Sequence, residues 1–274
     1  MIPAPHFERH RPRVAIHKFS SCDGCQLALL NLGEGLLDLA QRVQFVHFAE
    51  FGVVDEHAEA DIAIVEGSVS TAHEAQRIRA VRASSRYLIA LGACATSGGI
   101  QALRNLRDGA AWTAAIYAQP AHVDSLPTVS ALSDHVRVDL NLWGCPVSAH
   151  QLLGVLHDLL AGIAPRLSAD ALCHECKRVG HRCVLVADGQ PCMGPVTRSG
   201  CGVLCPAHGR DCYGCFGPAE NANADALAAQ FRRLGLSDAD IARRFALINS
   251  AADGFAQRAA ALPAVEHESE RDHG

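Results

Sequence analysis

Along the first 165 residues, apolar and polar positions switch repeatedly between the period of a strand and that of a helix. Val14-Ala15-Ile16-His17-Lys18-Phe19 reads as a first strand, and residues 26–40 then place Leu29, Leu32, Leu36 and Leu39 on one helical stripe. Phe45-Val46-His47-Phe48 and Ile62-Ala63-Ile64-Val65 are the second and third strands. Thr71-Ala72-His73-Glu74 has the spacing of a capping box and opens a helix with Ile78 and Val81 on its inner face. Tyr87-Leu88-Ile89-Ala90-Leu91 is apolar throughout, as a strand covered on both faces is. Val136 to Trp143 is the fifth strand, and Ser148-Ala149-His150-Gln151 caps a helix running to about Ala161. The alternation predicts an α/β fold with a mostly parallel, doubly wound sheet.

Beyond Pro165 the pattern is lost. Residues 173–218 are dense in Cys, Gly, Pro and His and carry no sustained apolar period. Such a stretch is expected to lack a hydrophobic core of its own, with metal centres in its place. Two helices are predicted after it, at about 222–234 and 238–260, the second with Ile241, Phe245 and Ile248 at helical spacing. The tail after Pro263 is polar and expected to fray.

Composition narrows the function. The chain has 274 residues, 49% of them apolar, enough for a substantial core. Its net charge of −5, with no basic block interleaved with aromatics, argues against nucleic acid as a partner. The basic start, Arg9 to Arg13, precedes only Val14-Ala15-Ile16, too short for an export signal. No run of 18 apolar residues is present, so no membrane insertion is expected, and a reducing cytoplasm is the expected compartment. There, thiols are expected to bind metal rather than form disulfides.

The 12 cysteines divide into four and eight. Cys22 and Cys25 follow the first predicted strand, Cys94 ends the fourth and Cys145 the fifth. Open α/β sheets bind ligands outside the carboxyl ends of their strands, so these four are expected to meet at one sheet edge. Nearby Gly24, Gly92, Gly98, Gly99 and Gly144 would let backbone N–H groups approach the sulfurs. A handful of buried structural thiols is the plainer account. The remaining eight fall by spacing into Cys173, Cys176, Cys183, Cys192 and Cys201, Cys205, Cys212, Cys215, with Cys192 and Cys201 exchangeable. Four thiolates are the ligand set of one [4Fe–4S] cluster. The C-x₂-C pairs Cys173/Cys176 and Cys212/Cys215 also suit structural zinc. Cysteines dispersed over separate strand ends fit a cubane better than a zinc knuckle. His174, His181 and His208 lie among the late cysteines, but twelve thiols already supply three full sites, so they are expected to be solvated or hydrogen-bonded.

Gly33-Glu34-Gly35 begins a near miss to a dinucleotide fingerprint, but it falls inside the leucine-striped helix and is read as helix interior. Thr96-Ser97-Gly98-Gly99 lacks the Gly-Lys-Ser/Thr of a phosphate loop and is read as a turn leaving the cysteine crevice. Glu66 ends the third strand at the same edge as the cysteines. It is expected either to hydrogen-bond near them or to aid proton exit, or else to be an ordinary surface carboxylate.

Ser21-Cys22-Asp23-Gly24-Cys25-Gln26, Glu66-Gly67-Ser68, Leu91-Gly92-Ala93-Cys94-Ala95, Trp143-Gly144-Cys145-Pro146 and the cysteine-rich segment resemble the small, electron-transferring subunit of cytoplasmic [NiFe] hydrogenases. Within that family the likeness is to the delta subunit of bidirectional NAD(P)-linked hydrogenases, also called sulfhydrogenases. It covers about residues 12–220.

The resemblance implies a flavodoxin-like domain (1–165) holding a proximal [4Fe–4S] cluster through Cys22, Cys25, Cys94 and Cys145. A cysteine-rich domain (166–265) would hold two more, ahead of a polar tail (266–274). Cys173, Cys176, Cys183 and Cys192 would take the distal cluster, and Cys201, Cys205, Cys212 and Cys215 the medial one. Exported relatives often have a histidine ligand where this chain offers Cys173, so the full thiol set favours the cytoplasmic subtype. The resemblance places the Ni–Fe centre in a separate large subunit, and FAD and NAD(P) in diaphorase-type partners. No catalytic residue is then expected in this chain, beyond a proton-relay or interface role for Glu66. Three other readings remain: a hydrogen-sensing complex built on the same subunit, a zinc-stabilised interaction protein, and a small subunit of a respiratory NADH dehydrogenase. The last carries two adjacent cysteines where this chain separates Cys22 from Cys25.

Overall fold

The structure, a computed structural model, describes residues 11–261. Five strands, β1 (Arg13–Lys18), β2 (Gln44–Phe48), β3 (Ala60–Glu66), β4 (Ser85–Leu91) and β5 (Leu140–Leu142), form one sheet in the order β2-β1-β3-β4-β5. Every neighbouring pair is parallel. This is the flavodoxin-like order, in which the winding reverses between β1 and β3 and leaves a crevice at the carboxyl ends of the strands.

Helices α1 (Gly24–Leu30) and α2 (Glu34–Arg42) follow β1, and α3 (Ala72–Ala83) follows β3. The long connection from β4 to β5 contains α4 (Gly92–Ser97), a 3₁₀ segment (Gly99–Leu106) and α5 (Gly109–Ile116). Next come α6 (Ala149–Leu160), then the short α7 (Leu172–Val179), α8 (Val184–Ala187) and α9 (Leu204–Ala207). The last three are α10 (Ala224–Arg233), α11 (Asp238–Ala246) and α12 (Asp253–Ala260).

Both faces of the sheet are covered. Val14, Ile16, Ile62, Ile64 and Ile89 pack with Leu29, Leu36, Leu39, Leu152 and Leu156 from the helices on one side. Ala63, Val65, Leu88 and Ala90 pack with Ile78, Val81 and Leu132 on the other. All seven residues of β3 are buried, which is why its sequence shows a continuous apolar run rather than alternation. The Thr71 side chain accepts the Glu74 N–H at 3.1 Å, and the Glu74 carboxylate accepts the Thr71 N–H at 3.1 Å, so the predicted capping box forms.

Four local expectations are corrected. The helix expected over 26–40 is two helices, broken where Gly33 takes φ +56°, a conformation cheap only for glycine. Gly33-Glu34-Gly35 is therefore a helix boundary, not a helix interior. The fifth strand is three residues long rather than 136–143, because the Asp139 carboxylate takes the Leu88 N–H at 2.8 Å and an Arg82 guanidinium at 2.6 Å. The helix expected over 238–260 divides into α11 and α12 around a turn carrying Asn249 and Ser250, both buried. Finally, the cysteine-rich stretch does not lack an apolar core. Leu172, Val184, Met193, Val196 and Val203 pack with Leu227, Phe231, Ile241, Phe245 and Phe255 of the last three helices. Those helices supply the stripes that residues 173–218 do not. Arg9 and the polar tail 266–274 lie outside the described residues.

Candidate functional site

Cys22, Cys25, Cys94 and Cys145 meet at the carboxyl edge of the sheet. After β1 the chain turns through Asp23, whose φ of 64° is left-handed, and sets Cys25 in the first turn of α1. Cys94 lies in α4 immediately after β4, and Cys145 follows β5 in a turn whose Gly144 carbonyl accepts the Ala93 N–H at 2.7 Å. Three glycines are fitted against three of the sulfurs. A Cβ on Gly92 would stand 2.4 Å from Cys25 Sγ, one on Gly99 2.7 Å from Cys94 Sγ, and one on Gly24 3.3 Å from Cys22 Sγ. Gly98 and Gly144 serve the turns instead, against Ala102 and Val147.

Glu66 belongs to this group. It is 2% exposed, and its two carboxylate oxygens accept the Cys25 N–H at 3.0 Å and the Gln26 N–H at 3.2 Å. The carboxylate thus anchors the start of the helix that carries Cys25, where negative charge is favoured. Among the alternatives raised for Glu66, an ordinary surface carboxylate does not describe it.

Burial is the main cause of the raised pKa values in this group. It pushes the Cys25 thiol well up, with the Glu66 carboxylate adding to the shift and the Val147 N–H opposing it. Cys94 is pushed up to about 12 by burial, then by Cys145 and Cys22, with the Ile100 N–H opposing. Cys145 is raised by burial, then by Cys22 and Glu66. Thiols this buried ionise only beside a cationic group, so loading a metal here would release protons.

The eight late cysteines occupy two further places. Cys173 and Cys176 on α7, Cys183 before α8, and Cys192 line one cavity with Leu172, Val184, Leu185 and Pro206. The Cys173 thiol is pushed up to about 11 by burial, then by Cys192, Cys183 and Cys176. Cys215 is pushed up to about 12 by burial, then by Cys201 and Cys205, while Cys212 is raised by burial and feels Cys192 and Cys215. The Gly214 N–H donates to Cys212 Sγ at 3.4 Å, and the Thr197 hydroxyl, which donates to the Met193 carbonyl at 2.7 Å, opposes the rise of the Cys212 pKa.

The group Cys201, Cys205, Cys212 and Cys215 adjoins both of the others. The Cys212 N–H donates to Cys192 Sγ at 3.3 Å, and the Cys145 N–H faces Cys215 and opposes the rise of its pKa. His174, His181 and His208 line no part of the cavity, and His174 and His208 are exposed. Among the described residues no three His, Cys, Asp or Glu side chains close on a point that would hold one metal ion. Each group offers four sulfurs, donor atoms of the type that holds iron–sulfur clusters.

Two contributing residues carry no sequence signal. Thr197 lies in a stretch without periodicity, and Asn249 lies inside a segment that reads as continuous helix. The Thr96 hydroxyl donates to the Gly92 carbonyl at 3.0 Å, consistent with a turn leaving the crevice. Among the described residues no helix is long and apolar enough to cross a membrane.

The chain is similar to known proteins over the sheet and beyond it. The family described as NADH ubiquinone oxidoreductase, 20 Kd subunit, matches residues 22–159. The sulfhydrogenase 2 subunit delta of Pyrococcus furiosus is 34% identical over 236 residues, covering 85% of this chain and 97% of its own length. A subunit of the F420-non-reducing hydrogenase of Methanococcus voltae is 29% identical over 268 residues, with 86% and 93% covered. Among solved structures, a chain of an NAD⁺-reducing [NiFe]-hydrogenase in the H₂-reduced state aligns with a TM-score of 0.52 at 31% identity. That alignment covers 57% of this chain and 94% of the other. The chain belongs to this family, on its hydrogenase small-subunit branch. It is an oxidoreductase subunit whose catalytic centre lies in a large partner chain.

Proposed function

We propose that this chain relays electrons, one at a time, between the Ni–Fe site of a large subunit and a flavin- and NAD(P)-linked partner in the cytoplasm. Cys22, Cys25, Cys94 and Cys145 would hold the proximal [4Fe–4S] cluster. Cys201, Cys205, Cys212 and Cys215 would hold the medial cluster, and Cys173, Cys176, Cys183 and Cys192 the distal one. When bound, such clusters supply one-electron transfer at potentials set by burial and by hydrogen bonds to sulfur. The observation that carries the reading is the contact order of the three thiol groups. The group latest in sequence touches both others, through the Cys145 N–H at Cys215 and the Cys212 N–H at Cys192. A conducting line from sheet edge to chain surface needs that order.

The chain's own residues do three things in this scheme. Gly24, Gly92 and Gly99 leave space at the sulfurs that any side chain would fill. The amides of Val147, Ile100 and Gly214 point at sulfur and favour its thiolate form. Glu66 fixes the Cys25 loop. The partition into 1–165 and 166–265 is part of the proposal and is supported by the separate apolar clusters of the two regions. The NAD⁺-reducing relative supports a nicotinamide-linked partner.

Anaerobic purification of the native complex, with iron, sulfide and nickel counts, tests the reading. About twelve irons in this chain, four for each Cys₄ site, are expected, with nickel confined to the large subunit. Zinc without acid-labile sulfide would instead support an interaction protein. Hydrogen turnover with NAD(P) distinguishes the catalytic role from a sensory one.

A further inference from the structure

The junction between the first thiol group and the last in sequence is closed by a side chain from outside both. Asn249, 1% exposed, sits in the turn between α11 and α12. Its Nδ2 donates to the Gly214 carbonyl at 2.9 Å and lies 3.4 Å from the Cys215 carbonyl. Its Oδ1 is 2.9 Å from Ser97 Oγ, and Ser97 ends the helix that carries Cys94. The amide orientation follows from chemistry, because two carbonyl oxygens on one side demand the NH₂ group there. One side chain therefore ties the backbone of Cys215 to the helix of Cys94. The Cys145 N–H completes the same junction at the Cys215 sulfur.

We propose that Asn249 is a positioning residue that fixes the distance and orientation between the Cys22/Cys25/Cys94/Cys145 site and the Cys201/Cys205/Cys212/Cys215 site. The inference rests on the electron-relay reading. An amide is required in this place, since it alone presents an acceptor to Ser97 and two donors to the opposing carbonyls. Aspartate would set a carboxylate against those carbonyls, and alanine would take the Asn249 donor from the Gly214 oxygen, which keeps only the Gly217 N–H, and from the Cys215 oxygen.

The test compares Asn249→Asp, Asn249→Ala and Ser97→Ala with the wild type in the intact complex. Four quantities are measured: iron and sulfide content, H₂/D⁺ exchange, magnetic coupling between the reduced centres, and amide hydrogen exchange over residues 212–217. Asn249→Asp is expected to keep its iron and its H₂/D⁺ exchange, lose part of the coupling between the two centres, and exchange faster at 214–216. Ser97→Ala should show the same changes in smaller measure, and it decides the matter should Asn249→Ala fail to fold. Full iron with unchanged coupling in Asn249→Asp and Ser97→Ala would overturn the role of Asn249 and leave the relay standing. A wild-type chain without iron would overturn both.

Discussion

The sheet region and the cysteine-rich region assemble groups of four thiols by opposite routes, one group in the first and two in the second. In the sheet region Cys22, Cys94 and Cys145 are far apart in sequence, and β1, β4 and β5 bring them together by ending at one edge. The apolar core comes first there and the thiols are carried on it. In the later region the thiols crowd between 173 and 215, and the core lies to one side, on α10, α11 and α12. The NAD⁺-reducing structure sharpens the contrast. It matches 57% of this chain with 94% of its own, so this chain carries a large segment with no counterpart there. The sheet-edge thiols thus sit on a core that precedes them in the chain, whereas the late thiols pack against helices that follow them.

Iron removal should separate the two regions most strongly. Anaerobic chelation is expected to release the amides of residues 173–217 to hydrogen exchange while β3 and β4 stay protected. Equal loss in both regions would mean that the sheet, too, is held by its cluster. Core truncation attacks the same difference from the other side. Phe245 is buried edge-on against Phe255, so Phe245→Ala should cost about 3–5 kcal/mol in denaturant unfolding. The loss should fall on the later region, with the β3 and β4 amides unchanged.

How much of each region is legible in the sequence follows from the same contrast. Strands β3 and β4 are plain because burial on both faces demands an uninterrupted apolar run. The capping box and the strand-end cysteines are legible because each is a local pattern or follows directly from one. Residues 92–139 are not, since their 3₁₀ and short helical pieces answer to neighbours rather than to a period. The late core escapes a sequence reading because Leu172, Val184, Met193 and Val203 are single apolar residues between turns, packed by helices far along the chain. The turn at Asn249 is hidden by Ile241, Phe245 and Ile248, which mimic a continuing helix.

A smaller effect tests the anchoring of the sheet-edge site. Glu66→Gln exchanges one carboxylate oxygen for an NH₂ group facing a backbone N–H, so one buried donor loses its acceptor. A loss of about 2 kcal/mol is expected, the range for a buried hydrogen bond to charge. The iron content of both late sites should be unaffected. Stability equal to wild type would show that the Cys25 loop does not depend on this carboxylate.

The smallest effect belongs to a buried histidine of β1. His17 is 2% exposed, stacks on His47 at 4.6 Å between ring centroids, and among the described residues has no hydrogen-bond partner at Nδ1. Burial, then the charges of His47 and Arg77, lowers its pKa to about 3. The unfolded chain binds a proton at His17 near pH 6.5, while the folded chain does not until near pH 3. Stability from this residue is therefore complete above pH 6.5 and is lost as pH falls toward 3. Between pH 7.5 and 5.5 the loss should be roughly 1.4 kcal/mol. His17→Phe removes the titrating group and keeps an aromatic ring against His47. The variant should flatten the acid slope of urea midpoints by that amount. An unchanged slope would mean that His17 is protonated in the folded chain, and that the sheet's outer face is wetter than its packing implies.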